Sequence, residues 1–146
     1  MSKLQILQEH NKILRETAKE VALAEISTKK IQNLIRDMSA TLRSIDIGVG
    51  LAAPQVGKSL RIFLVSEEAL ESKRNLEKLD MKKLKESKKL KNWRHFVFIN
   101  PKVIKISKRK KLMPEGCLSV KDLYGRVLRQ EKITVSAYDE SGKKST

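Results

Sequence analysis

Apolar residues recur at three- and four-residue steps through Glu25–Ile45: Ile31, Leu34, Ile35, Met38, Leu42 and Ile45. That period lays one apolar stripe along a helix of about five turns. Ser27 and Thr28 are its candidate N-caps. Upstream, Leu14-Arg15 with Ala18 and Val21 predicts a docked lead-in, extended or briefly helical. The pattern then changes. Arg61-Ile62-Phe63-Leu64-Val65 is short, continuous and branched, which predicts a buried strand. His95-Phe96-Val97-Phe98-Ile99 predicts the next, and Asn100-Pro101 is a turn signal expected to end it. Val103 to Ile106 alternates weakly, and a basic patch, Lys108 to Lys111, follows. Gly125–Leu128 and Ile133–Tyr138 predict two more strands. Asp139-Glu140-Ser141-Gly142 has hairpin-turn chemistry, with Gly142 available for positive φ. Only Lys143 to Thr146 follow it, so the turn predicts more returning strand than is present.

Between the first two strands, residues 67–92 hold nine Lys and Arg and few apolar side chains (Leu70, Leu76, Leu79, Leu84, Leu90). The segment predicts a weakly amphipathic, solvated helical excursion. A basic arm for a polyanion is the functional alternative, but charge runs are usually solvated faces.

The chain has 146 residues, one domain's worth, and no linker or internal repeat. Aromatic residues are 4%, so Ile, Leu, Val and Met must build the core. No apolar run is long enough to cross a bilayer, and Met1–Lys12 lacks the apolar stretch of a secretory signal. A single cysteine fits a reducing, cytoplasmic setting. The net charge of +15 raises encounter rates with polyanions without naming one. Trp93, Tyr124 and Tyr138 are too scattered to form a base-stacking platform, so no specific nucleic-acid partner is expected.

The candidate chemistry lies in two stretches. In Gly48-Val49-Gly50-Leu51-Ala52-Ala53-Pro54-Gln55 the glycines allow a ligand to approach the main chain. Gln55 offers an uncharged donor that can stabilise an oxyanion. An isolated Gly-x-Gly is most simply a connector; the octet is more specific. In Glu115-Gly116-Cys117-Leu118-Ser119 the only cysteine sits in a turn-prone segment. A lone cysteine is commonly a small buried hydrophobe, yet its thiolate can bind zinc or ferrous iron. A cysteine-nucleophile hydrolase would need a histidine base. The chain has only His10, in the polar N-terminus, and His95, in an apolar strand.

These two stretches resemble the first two of three signature motifs of the peptide deformylases, metal hydrolases that remove the N-formyl group from nascent polypeptides. The spacing, Asn100-Pro101 and Tyr124 to Arg129 are similar too, so the likeness runs from about Leu14 to Gly142. The third motif, a helical His-Glu-x-x-His, does not occur in these 146 residues. The resemblance implies an α+β fold with one N-terminal helix and antiparallel strands around a central helix, here missing. It implies Cys117 as a ligand of a divalent metal, ferrous iron in the family, with zinc or nickel as alternatives. Gln55 and the Leu118 N–H would hold the oxyanion. Gly48, Val49, Gly50 and Leu51 would line the peptide site, with Met113, Glu115 and Tyr124 near the methionine pocket. The implied substrate is an N-formylmethionyl peptide, and the ribosome is a candidate partner. Without two histidine ligands and the general-base glutamate, the chain itself is expected to be inactive. The alternative is a non-catalytic deformylase-like protein that binds peptide or ribosome. Sequence fixes no oligomeric state. Both readings require the Cys117 thiol to lie beside the Gln55 carboxamide.

Overall fold

The computed structural model describes residues 2–71 and 81–146, and the side chains of Glu71 and Met81 lie outside that description. The long helix, α1, is Lys29–Ser44, and Thr28 caps it, its hydroxyl accepting from Ile31 N–H at 3.5 Å. A cap of this kind contributes about 1 kcal/mol. Glu25, expected inside the helix, instead closes a 3-10 turn, Leu23–Glu25. The lead-in holds another such turn, Lys12–Arg15. Its next residues dock by a parallel bridge between Lys19 and Leu60.

Seven strands follow among the described residues: β1 (Gly50–Ala52), β2 (Ile62–Ser66), β3 (His95–Ile106), β4 (Lys110–Cys117), β5 (Val120–Gln130), β6 (Ile133–Tyr138) and β7 (Lys144–Ser145). Five form an antiparallel sheet in the order β1-β2-β3-β6-β7, while β4 and β5 pair as a separate hairpin. The apolar stripe of α1 (Ile31, Ile35, Met38, Leu42) packs with Ile62 and Leu64 of β2 and Val97 and Ile99 of β3. Burial alternates along β2, as a period of two requires. On the other face Phe63 and Phe98, directly opposite in register, stack at 4.7 Å.

Two further expectations are corrected. Asn100-Pro101 does not end a strand. β3 runs through it, because Asn100 takes a left-handed φ of 51° and the ladder shifts register between Ile99 and Lys102. Its buried carboxamide then bridges Val21, accepting from that residue's N–H and donating to its carbonyl, each at 2.8 Å. Nor is the lysine-rich segment wholly solvated. Two short helices are described in it, α2 (Glu67–Glu71) and α3 (Met81–Ser87). Residues 72–80, with Leu76 and Leu79, lie outside the described residues. Leu84 and Lys88 are 1% and 5% exposed, so this end of the segment packs onto the body. The hairpin turn at Asp139–Gly142 forms, with Gly142 at φ 82°, and β7 pairs back on β6 as its return strand. No described helix is long and apolar enough to cross a membrane.

Candidate active site

Gln55 sits in a 3-10 turn, Ala53–Val56, that Gly57 closes in the left-handed conformation at φ 79°. Its backbone is held from the N-terminal segment, Leu7 N–H donating to Gln55 C=O at 2.8 Å. The carboxamide is oriented by chemistry. Its Oε1 accepts from Ala52 N–H at 2.9 Å, so Nε2, which can only donate, must face outward. There it donates to Ser119 Oγ at 3.1 Å and lies 3.8 Å from Cys117 Sγ. The thiol and the amide therefore meet, as the motifs require.

Cys117 is the last residue of β4, not part of a loop, and Leu118–Ser119 turn the chain into β5. The thiol is exposed. Gln8, which carries no sequence signal, braces this turn by donating to Leu118 C=O at 3.3 Å. The hairpin register shifts between Gly116 and Cys117, and Asp122 at φ 59° absorbs the extra chain. Tyr124 lies against Gly116: a Cβ built there would come within 2.8 Å of the Tyr124 ring. A side chain at 116 would therefore displace that ring.

These elements enclose a cleft of about 660 Å³. Gly48, Val49, Gly50, Gln55, Glu115, Cys117, Leu118 and Tyr124 are on its wall, with Ile47 and Val120 among its apolar members. Leu51 and Met113 are not. Leu51 is 2% exposed because alternation along β1 turns it into the core, away from the side Gly50 faces. Met113 sits further up β4, opposite Val127. Glu115 lines the cleft but is committed to Arg129 through a two-point ion pair at 2.6 and 2.7 Å. That guanidinium holds the Glu115 carboxyl below the usual carboxylate range.

β1 is an edge strand. Val49 C=O accepts from Ser66 N–H at 2.9 Å. Polar groups alternate sides along an antiparallel strand, so the amide and carbonyl of Gly50 point off the free edge. An extended peptide can pair there.

The donors on this cleft do not complete a metal centre. Cys117 supplies one thiolate, its amide neighbour is a hydrogen-bond donor, Glu115 is taken by Arg129, and Asp122 is the one other carboxylate among the lining residues, itself exposed. Among the described residues no three His, Cys, Asp or Glu side chains gather in a ligand-like group. His10 lies in an exposed turn. His95 stacks on Trp93 at 5.2 Å and contacts Ser39 Oγ at 3.4 Å, and burial pushes its pKa down. It is a structural histidine.

Of the residues with functional contacts here, Ser119 and Gln8 received no role from the sequence. Ser119 stood inside the second motif and could have been marked by it.

The polypeptide deformylase family model matches residues 3–146. The peptide deformylase of Leptospira biflexa is 36% identical over 141 residues, covering 97% of this chain and 71% of that protein. Peptide deformylase 1A, chloroplastic/mitochondrial, of Arabidopsis thaliana is 34% identical over 143 residues, covering 96% of this chain and half of that one. A class I type b peptide deformylase from Acinetobacter baumannii, crystallised with Met-Ala-Ser, superposes with a TM-score of 0.78 at 29% identity, covering 99% of this chain and 82% of that one. The enzyme of Ehrlichia chaffeensis in complex with actinonin gives 0.76 at 29% identity, covering 99% and 73%. Sequence, fold and cleft agree: this chain belongs to the polypeptide deformylase family, hydrolases of formylated nascent peptides that depend on a metal.

Proposed function

We propose that this chain provides the peptide-binding and amide half of a deformylase centre for N-formylmethionyl peptides, and that alone it binds without hydrolysing. The observation that carries the reading is the 3.8 Å approach of Gln55 Nε2 to Cys117 Sγ beside a free strand edge. An extended peptide adds to β1 through Gly50, and the Met-Ala-Ser bound by the Acinetobacter relative supports that class of ligand. Gln55 Nε2 and the Leu118 N–H then face the formyl carbonyl as donors, the arrangement that stabilises an oxyanion when it develops. Tyr124 and the apolar wall flank the methionine side chain. Hydrolysis needs a set of metal ligands and a positioned general base, and Cys117 with the exposed Asp122 does not make that set, so no chemical step is assigned to this chain. Ferrous iron, zinc or nickel are the candidate ions for the completed centre. The net +15 supports an encounter with the ribosome in the cytoplasm by coulombic attraction to RNA.

Titration of the isotopically labelled chain with formyl-Met-Ala-Ser tests this. Amide shifts are expected to cluster at residues 47–55 and 115–124, with an affinity in the range of about 10⁻⁴ to 10⁻³ M, typical of a short ligand with few anchors. Shifts confined to another face, or none at millimolar peptide, would overturn the reading.

A further inference from the structure

The packed end of the lysine-rich segment meets the loop that leads into β1. Lys88 is almost fully buried, and its Nζ donates to three main-chain carbonyls: Leu42 at 3.1 Å, Ile45 and Gly48. Leu42 and Ile45 are at the C-terminal end of α1, where a cation is favoured; each carbonyl also accepts a turn N–H, Leu42 from Ile45 and Ile45 from Gly48, so the ammonium takes the second lone pair. Gly48 is the first residue of the cleft motif. The bracing is reciprocal. Arg43 of α1 donates to Lys88 C=O at 2.8 Å and Leu90 C=O at 2.6 Å. Lys85 pairs with Asp46 at 2.6 Å.

We propose that Lys88 is a positioning residue: its ammonium pins the Ile45–Gly48 turn and so fixes the peptide-binding edge at Gly50. The pin rests on the cleft being the peptide site; the anchoring of the loop itself does not. A surface ion pair could have tied the segment down at little cost. Enclosing an ammonium is expensive unless carbonyls surround it. Two of these three, Ile45 and Gly48, bound the turn that leads into β1, and the third, Leu42, ties that turn to the end of α1.

The charges around Lys88 are Glu68 of α2, Asp46 of the turn, Arg43 of α1, and Lys85 and Lys89 on its own segment. Burial pushes its pKa down to about 8, against the opposing pull of Glu68 and Asp46. Above that pH the neutral amine has two hydrogens for three carbonyls, and the turn loosens. Between about 8 and the ordinary 10.5 the unfolded chain keeps a proton that the folded chain has released. By linkage this group then favours folding more as pH rises. Loop order and global stability thus move in opposite directions, which a lysine serving stability alone would not produce.

The test follows the Gly48 and Gly50 amides of the full chain by NMR from pH 6 to 10, in wild type, Lys88→Met and Lys91→Met, with formyl-Met-Ala-Ser affinity measured at pH 7. Lys91 is exposed and serves as control. In wild type and Lys91→Met the glycine signals should shift with a midpoint near pH 8. Lys88→Met should lack that transition, exchange these amides faster and bind peptide about five- to tenfold more weakly, as expected if the competent loop is one conformer among several. A folded Lys88→Met with wild-type glycine signals, pH profile and affinity would overturn the proposal. If Lys88→Met does not fold, wild-type glycine signals that show no transition anywhere between pH 6 and 10 would overturn it. Glycine signals that respond as stated in a chain that binds no peptide would uphold the pin and refute the peptide reading.

Discussion

Ferrous iron, zinc or nickel added to this 146-residue chain is expected to release no measurable formate from an N-formylmethionyl peptide. The argument is one of donors. A catalytic zinc site ordinarily uses three protein ligands and leaves one position open. Here one thiol lies on the cleft, flanked by a carboxamide N–H, a hydroxyl and a carboxylate already paired with Arg129. Neither histidine lines it. A positioned general acid–base group is worth about 10²- to 10⁴-fold, and among the described residues the side-chain amide of Gln55 meets only Ala52, Cys117 and Ser119, no carboxylate or imidazole. Binding and orientation survive, but they do not supply a nucleophile. A coupled formate assay across the three ions checks this. Turnover proportional to both chain and ion would show that a donor set forms elsewhere and would refute the account of the deficit.

Asn100→Ala is expected to cost about 3 kcal/mol. Two buried hydrogen bonds to Val21 disappear, leaving its N–H and C=O unpaired, at about 1 kcal/mol or more each. Alanine at φ 51° adds about 1 kcal/mol of backbone strain. For a domain of this size that lowers Tm by roughly 7–12 °C. Asn100→Gly should recover only the backbone share. Thermal and urea unfolding of both variants separate the contributions. A loss below about 1 kcal/mol for Asn100→Ala would mean that the bridge to the lead-in does not hold β3 through its bulge.

What the sequence disclosed follows from what each element depends on. α1 and β2 were legible because their burial follows a local period, and Ile31, Ile35, Met38 and Leu42 are buried where that period puts them. β3 was cut short because Asn100-Pro101 carries a local turn signal. The partner that overrides it, Val21, is far away in sequence. The segment that holds Leu84 and Lys88 was read as a solvated excursion because lysine density is a surface statistic. The carbonyl cage that draws Lys88 inward is made by the end of another helix. The site behaved similarly. Gln55 and Cys117 were visible as motif chemistry, whereas Ser119 and Gln8 gain their roles only through tertiary contact. Leu51 was placed on the peptide wall by motif membership, although alternation with Gly50 already argued for the core.

The juxtaposition of amide and thiol can be observed directly. In the labelled chain, the Gln55 side-chain NH₂ should show nuclear Overhauser contacts to the Cys117 β-protons, since Nε2 and Sγ are 3.8 Å apart. Alkylation of Cys117 should shift those same amide resonances. A resolved Gln55 amide with no such contact, indifferent to alkylation, would contradict the account.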